Sequence, residues 1–118
     1  GVLTPGRLVG DVAGRCAIVL DDLISTGGTL AHAAQACRAR GAARVIAAAA
    51  HGLFVGNAAT ILATEALDQI VVTDTVPAFR LPPGPVPAKL TVLSATGLFA
   101  EAIRRMHGGG SITELLEE

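Results

Sequence analysis

The chain has 118 residues, of which 51% are apolar, and a formal net charge of −1 at pH 7. This length and apolar content suit one globular domain with a core of its own. Eight arginines and one lysine are scattered along the sequence, so there is no basic stripe and a nucleic-acid partner is excluded. The sequence has no uncharged run of eighteen apolar residues and no signal-peptide layout, so we expect a cytoplasmic protein without a membrane partner.

The first elements in the chain are a strand and a helix separated by a loop. Residues 17–20 form a continuous apolar run, typical of a buried parallel strand. A helix is predicted over residues 28–40, with Gly41 as its C-cap. Its inner face carries Leu30, Ala33, Ala34 and Cys37, and its outer face carries His32, Gln35 and Arg38.

The rest of the chain continues to alternate between strand and helix. Further strands are predicted over residues 45–50, 70–73 and 90–93. Further helices are predicted over residues 57–66, 97–106 and 112–116. The proline-rich residues 77–89 are interpreted as a variable loop. The alternation predicts an α/β fold with a mostly parallel sheet flanked by helices.

Two cysteines stand in apolar surroundings. Cys16 opens the first strand, and Cys37 lies on the inner face of the first helix. Because the pair has neither a Cys-x-x-Cys spacing nor a nearby histidine, we expect two buried free thiols rather than a disulfide or a metal site.

The loop between the first strand and the first helix is the most informative segment. A loop that follows a parallel strand lies at the carboxyl edge of the sheet, where open α/β folds bind ligands. Gly27 and Gly28 let the backbone approach an anion, and the start of the helix presents free N–H groups. Hydroxyl donors come from Ser25, Thr26 and Thr29. These five residues form a candidate phosphate site.

Two adjacent carboxylates, Asp21 and Asp22, stand just upstream of this loop. They are placed to accept hydrogen bonds from sugar hydroxyls or to face a hydrated Mg²⁺. Taken alone, the Asp-Asp pair is equally an ordinary turn, and the small-residue loop is equally an ordinary loop. The whole string of strand, acids, hydroxyls, glycines and helix favours a phosphorylated sugar as the ligand.

Two further polar residues follow predicted strands and are therefore expected at the same sheet edge. For His51 the alternatives are a structural or interface role and a ligand contact. For Asp74 the alternatives are an Asx-type turn before Pro77 and a role at the site. We assign no catalytic residue within the chain.

Five segments of the chain resemble, in order, motifs of the ribose-phosphate diphosphokinases. The Asp-Asp loop is also shared with type I phosphoribosyltransferases, whereas the other four segments separate the two families. Those four are Gly-Asp-Val-Ala-Gly-Arg at 10–15, His-Gly-Leu-Phe at 51–54, Val-Thr-Asp-Thr-Val-Pro at 72–77 and Ala-Glu-Ala-Ile-Arg-Arg at 100–105. Ser25 replaces a frequent Asp, and Ala50 replaces a usual Thr. The resemblance covers nearly the whole chain.

The resemblance implies a type I phosphoribosyltransferase-like domain over residues 1–118, which would be the C-terminal half of a two-domain subunit. Enzymes of this family transfer the diphosphoryl group of ATP to ribose 5-phosphate in the presence of Mg²⁺, giving phosphoribosyl diphosphate (PRPP) and AMP. Asp21 and Asp22 would hold the ribose hydroxyls, directly or through metal, and residues 25–29 would hold the 5-phosphate. An upstream half and neighbouring subunits of a homo-oligomer would supply most of the ATP site.

Two other functions and one regulatory site remain open at this stage. The chain is alternatively a free-standing phosphoribosyltransferase or a non-catalytic regulatory paralogue of the diphosphokinase. In addition, Ser111 and Thr113 resemble a Ser-x-Ser segment that helps the family bind an allosteric phosphate. The alternative for Ser111 is an ordinary N-cap of the last helix.

Overall fold

Four parallel strands form the sheet that positions the candidate site. The computed structural model describes residues 2–4, 7–9 and 11–116. Within them, the short strands β1 and β2 pair in antiparallel fashion, and β3 to β6 form the parallel sheet in the order β3-β4-β5-β6. The strands are β1 Val2–Thr4, β2 Arg7–Val9, β3 Cys16–Ile24, β4 Arg44–Gly52, β5 Gln69–Thr73 and β6 Leu90–Leu93. The helices are α1 Gly28–Ala39, α2 Ala58–Ile61, α3 Pro85–Ala88, α4 Thr96–Gly108 and α5 Ile112–Leu116.

This architecture confirms the predicted fold class, a mostly parallel sheet with flanking helices. Helix α1 packs its inner face on the sheet through the four residues predicted from the periodicity, Leu30, Ala33, Ala34 and Cys37, each at most 7% exposed. His32 and Gln35 are exposed as predicted. Among the described helices, none is long and apolar enough to cross a membrane. The cytoplasmic location stays a prediction.

Strand β3 is covered on one face only, so the predicted burial of residues 17–20 is confirmed for that face and wrong for the other. Ala17 and Val19 of β3 are buried under α1, whereas Ile18 is 57% exposed and Leu20 is 77% exposed. Successive side chains of a strand point to opposite faces, and the described helices cover only one of those faces at β3. The apolar run therefore has an open side.

Strand β3 is also longer than predicted. Its pairing with β4 continues through Asp21, Leu23 and Ile24, which face Ala49, His51 and Gly52 in the register. The two aspartates therefore lie on the strand itself, and the loop begins at residue 25. His51 likewise lies within β4 rather than after it. Periodicity could not place these ends, because polar side chains at a sheet edge break the apolar pattern while the ladder of hydrogen bonds continues.

Two other predicted segments differ from the structure. The helix expected over residues 57–66 is only Ala58–Ile61, because the hydroxyl of Thr64 accepts a hydrogen bond from the Ala66 amide (3.3 Å) in a turn that leads into β5. The proline-rich loop contains a helical turn, α3, that begins with proline. Its Val86 is 1% exposed and belongs to the core, so this segment has a structural role.

The cysteines are both free, as expected, but only one is buried. Cys37 is 0% exposed, and burial raises the pKa of its thiol. Cys16 is exposed at the start of β3, so the prediction that it is buried is wrong. Cys16 lies on the same uncovered face of β3 as Ile18 and Leu20, which explains the difference.

Arg38, predicted on the outer face of α1, is in fact the tether between that helix and the sheet. Its guanidinium donates hydrogen bonds to the carbonyl oxygens of Ala66 (3.3 Å), Ala42 (3.2 Å) and Ala43 (2.9 Å), and it pairs with the carboxylate of Asp68. The same carboxylate accepts a hydrogen bond from an amide of β4. Arg38 therefore joins helix α1 to the segment that follows it and to the segment that precedes β5.

We expect Arg38→Ala to lower the free energy of unfolding by about 2 kcal/mol. The estimate takes several charge-assisted hydrogen bonds and discounts them because both side chains of the ion pair are about one third exposed. Urea unfolding followed by circular dichroism measures the change. Arg40→Ala, which alters an exposed arginine next to the end of the same helix, is the control and should stay within about 0.5 kcal/mol of the wild type. Equal effects of the two substitutions on the free energy of unfolding would contradict the role of Arg38 in holding α1 to the sheet.

Candidate functional site

The candidate phosphate loop, residues 25–29, makes the turn from β3 into α1. Gly27 is the N-cap of the helix and adopts a left-handed conformation with φ of 85°, which favours glycine. Its carbonyl accepts the first helical hydrogen bond, from the Ala31 amide (2.9 Å). No side chain of the described residues makes a capping hydrogen bond at this helix start. The first-turn N–H groups and the positive end of the helix dipole are therefore free to act on an anion.

The loop and the end of β3 enclose a small cavity of about 60 Å³. All five residues predicted as the phosphate site contribute to its wall. The lining residues are Asp21, Leu23, Ile24, Ser25, Thr26, Gly27, Gly28, Thr29 and Leu30. On this measure a cavity needs about 10–15 Å³ to hold one water, so its size suits a small anionic group rather than a nucleotide.

The two aspartates occupy different positions relative to this cavity. Asp21 contributes to its wall, whereas Asp22 does not. The backbone amide of Asp22 donates a hydrogen bond to Oδ1 of Asp21 (2.8 Å), which fixes the first carboxylate at the mouth of the loop. Because neighbouring side chains of a strand point to opposite faces, the structure brings Asp21 to the cavity but does not bring the pair together.

The oxygen atoms around the cavity suit Mg²⁺ only if the ion binds together with the phosphate of a substrate. Within the described residues, no three His, Cys, Asp or Glu side chains converge on one point that could hold a metal ion. Magnesium commonly keeps several waters and is bound through one or two carboxylates together with phosphate oxygens of a substrate. The carboxylate of Asp21, beside a cavity suited to a phosphate, is compatible with that mode.

A hydrogen-bonded network joins β4 and β5 at the same sheet edge. His51 Nδ1 and Thr75 Oγ1 share a hydrogen bond of 2.6 Å, and Thr73 Oγ1 donates to the carbonyl of Ala50 (2.6 Å). Asp74 Oδ1 accepts a hydrogen bond from the Ala95 amide (2.8 Å) at the start of α4. The carboxylate of Asp74 therefore links β5 to α4, which is a structural role. The imidazole of His51 is exposed and held in one orientation.

Ser111 lies at a second cavity, of about 270 Å³, at the corner between α4 and α5. Arg104 and Arg105 also contribute to its wall, whereas Thr113 does not. Both guanidiniums donate hydrogen bonds to the carboxylate of Glu101, and these bonds lower the pKa of Glu101 to about 2. The hydroxyl of Ser111 accepts a hydrogen bond from a backbone amide three residues later (3.3 Å), which is N-cap geometry.

The sequence did not reveal that residues 53–55 hold the phosphate loop in place through backbone hydrogen bonds. The amides of Leu53 and Val55 donate hydrogen bonds to the carbonyl oxygens of Ile24 and Ser25, both at 2.9 Å. The His-Gly-Leu-Phe motif marked this region, but a motif does not reveal which backbone groups it contacts. Hydrogen bonds between segments nearly thirty residues apart become visible only in the folded chain.

Fold and site together define a class of protein. A parallel α/β sheet whose strand β3 leads through a hydroxyl-rich and glycine-rich loop into a helix is the arrangement that the resemblance to phosphoribosyltransferase-like domains implies. The family model described as the phosphoribosyl synthetase-associated domain matches residues 3–117. The chain belongs to this family, which confirms the resemblance found in its motifs.

Individual relatives agree with the family. The chain is 50% identical over 109 residues to a ribose-phosphate pyrophosphokinase of Pasteurella multocida, and 44% identical over 109 residues to one of Vibrio vulnificus. Each alignment covers 92% of this chain and 34% of the relative. The crystal structure of phosphoribosylpyrophosphate synthetase from Mycobacterium smegmatis superimposes with a TM-score of 0.76 at 40% identity, covering 88% of this chain and 34% of that one. The chain thus spans about a third of the length of these relatives.

Proposed function

We propose that this chain is the C-terminal, ribose 5-phosphate-binding domain of a ribose-phosphate diphosphokinase (pyrophosphokinase), the remainder of whose two-domain subunit lies upstream. The observation that carries the proposal is the cavity of about 60 Å³ at an uncapped helix start, lined by three hydroxyls and two glycines. The similarity to ribose-phosphate pyrophosphokinases supports it. A phosphate is the group that such a cavity suits.

In this proposal the 5-phosphate of the sugar lies in the cavity of residues 25–29. It accepts hydrogen bonds from the first-turn amides of α1 and from the hydroxyls of Ser25, Thr26 and Thr29. Asp21 accepts hydrogen bonds from the ribose hydroxyls at the mouth of the cavity. Asp22, on the other side of β3, acts on the sugar only through water or metal. When bound, Mg²⁺ would supply charge neutralisation beside Asp21.

The reaction proposed for the complete enzyme is an in-line displacement. The 1-hydroxyl oxygen of ribose 5-phosphate bonds to the β-phosphorus of ATP, and the bond from that phosphorus to the bridging α-β oxygen breaks. The hydroxyl proton is lost, AMP leaves, and PRPP forms. Residues of this chain hold and orient the sugar, which is the positioning contribution to such a transfer. The ATP contacts and the cationic side chains would come from the upstream half and from neighbouring subunits of a homo-oligomer.

Isothermal titration of the chain with ribose 5-phosphate, inorganic phosphate and ribose tests the proposed roles. The Asp21→Ala/Asp22→Ala variant should bind ribose 5-phosphate about tenfold to a hundredfold more weakly, and no better than inorganic phosphate. This range follows from the loss of hydrogen bonds to a charged group, about 1.5–3 kcal/mol. Asp11→Ala, which alters a carboxylate bonded to the Ala13 amide, is the control and should bind like the wild type. Equal affinity in the double variant and the wild type would refute the role of the aspartates.

A regulatory phosphate site at Ser111 and Thr113 is a separate part of the proposal. Arg104 and Arg105 beside Ser111 favour an anion in the α4–α5 cavity, although Glu114 at the same cavity opposes it. In the complete enzyme, Ser111→Ala/Thr113→Ala should abolish activation by phosphate and weaken inhibition by ADP, both measured by AMP formation. Unchanged responses to both effectors would leave Ser111 as an N-cap and nothing more.

A further inference from the structure

Directly beside the candidate phosphate loop lies the side chain of Leu62, which is 0% exposed. A Cβ atom placed on Gly27 would stand 2.5 Å from Leu62 Cδ2, 2.6 Å from its Cγ and 2.9 Å from its Cδ1. Non-bonded carbon atoms favour separations of about 3.5–4.0 Å, so there is no room for a side chain between them. The isobutyl group of Leu62 therefore rests on the backbone of Gly27 itself.

The other residues of the loop are also held by neighbouring residues, those that follow β4. The Val55 amide holds the carbonyl of Ser25 at 2.9 Å, and a Cβ atom on Gly56 would lie 3.5 Å from Cγ2 of Thr26. Hydrogen bonding thus fixes the beginning of the loop, and α1 fixes its end. The Gly27–Gly28 peptide lies between them: its carbonyl accepts the hydrogen bond from the Ala31 amide, and Leu62 packs against it at Gly27.

We infer that Leu62 is a positioning residue for phosphate binding, although it is far too buried to touch a ligand. Its side chain sets the position of the Gly27 backbone and so the direction in which the amides at the start of α1 point. Charge-assisted hydrogen bonds to an anion are about 2.7–2.9 Å long, so a displacement of these amides weakens the bonds that they donate. This inference rests on the proposed function, since it assumes that the loop holds the phosphate of a sugar.

The contrasting explanation is that Leu62 is an ordinary core residue whose loss harms only stability. Leu67 provides the matched control, because it is 2% exposed in the same core, whereas the three atoms nearest to a Cβ on Gly27 all belong to Leu62. The two leucines should lose similar stability on truncation to alanine, in the range seen for buried leucines. Only truncation of Leu62 should change the binding of phosphate.

The experiment compares four variants by titration with ribose 5-phosphate and with inorganic phosphate, and by urea unfolding. We expect Leu62→Ala to weaken binding of both ligands at least tenfold, Leu62→Val by an intermediate factor and Leu62→Met by less than about threefold, because methionine conserves volume. Leu67→Ala should bind like the wild type despite its lower stability. Leu62→Val and Leu62→Met decide the question if Leu62→Ala does not fold.

A second comparison uses the steric conflict between Leu62 and a side chain at position 27. Gly27→Ala should bind at least tenfold more weakly than the wild type, since its new methyl group meets Leu62 and alanine is strained at a φ of 85°. Gly27→Ala/Leu62→Ala should recover the part of that loss that comes from the steric conflict. Affinities of the Leu62 variants equal to that of Leu67→Ala would overturn the positioning role while leaving the proposed function intact. Failure of the wild type to bind either ligand would overturn both.

Discussion

Gly28→Val is expected to reduce the affinity for ribose 5-phosphate at least a hundredfold while leaving the chain folded. A Cβ atom on Gly28 would meet only Thr26 Oγ1, at 3.8 Å, so the space beside this residue is open. Gly28 contributes to the wall of a cavity of only about 60 Å³, and the branched side chain of valine would occupy the place of the anion. Valine and glycine differ little in helix propensity compared with a typical stability, so the fold should tolerate the change.

Gly97→Val is the matched control for this substitution. Gly97 also lies in the first turn of a helix, α4, and a Cβ atom there would meet nothing within 4 Å. Circular dichroism should show that both variants are folded, and calorimetric titration should show that only Gly28→Val has lost binding. Undiminished binding by a folded Gly28→Val variant would mean that the phosphate lies elsewhere.

The second large effect is an absence of turnover. We expect this 118-residue chain to bind ribose 5-phosphate without forming PRPP. None of the nine residues around the loop cavity is lysine or arginine. The single lysine, Lys89, donates hydrogen bonds to the carbonyl oxygens of Thr64 and Leu67 (both 2.9 Å) and so holds the segment before β5. Loss of one charge-neutralising arginine in a phosphoryl transfer costs about 10³ or more in rate, so turnover should be at least that far below a complete enzyme.

The measurement is the release of AMP from ATP, ribose 5-phosphate and Mg²⁺. The complete ribose-phosphate pyrophosphokinase of Pasteurella multocida, 50% identical over the aligned residues, serves as the positive control under the same conditions. Addition of the upstream half in one polypeptide should restore activity. Comparable rates for the isolated chain and the complete enzyme would show that this chain holds an ATP site and catalytic cations of its own.

Local sequence patterns were sufficient for the elements whose signals are periodic. The spacing of Leu30, Ala33, Ala34 and Cys37 predicted the buried face of α1, and the apolar runs predicted each strand of the parallel sheet. The loop of residues 25–29 was predicted as one site because its chemistry is contiguous in the chain. The structure places all five residues around one cavity.

Other features depend on contacts between distant segments and could not be predicted. Arg38 lies on the polar side of its helix by periodicity, yet its partners at residues 42, 43, 66 and 68 approach only after the chain has turned back. The extension of β3 through Asp21 follows from its pairing with β4. Leu62 was assigned to a long helix, and its contact with Gly27 across thirty-five residues has no local signature.

Backbone amide chemical shifts of the labelled chain, followed by NMR during titration with ribose 5-phosphate, test the central claim most directly. If the 5-phosphate binds where we propose, the largest shifts cluster on residues 25–30 at the start of α1. Inorganic phosphate then moves the same amides, ribose alone does not, and Gly28→Val abolishes the response. Shifts that cluster on any other surface, or none at millimolar ribose 5-phosphate, would contradict the account.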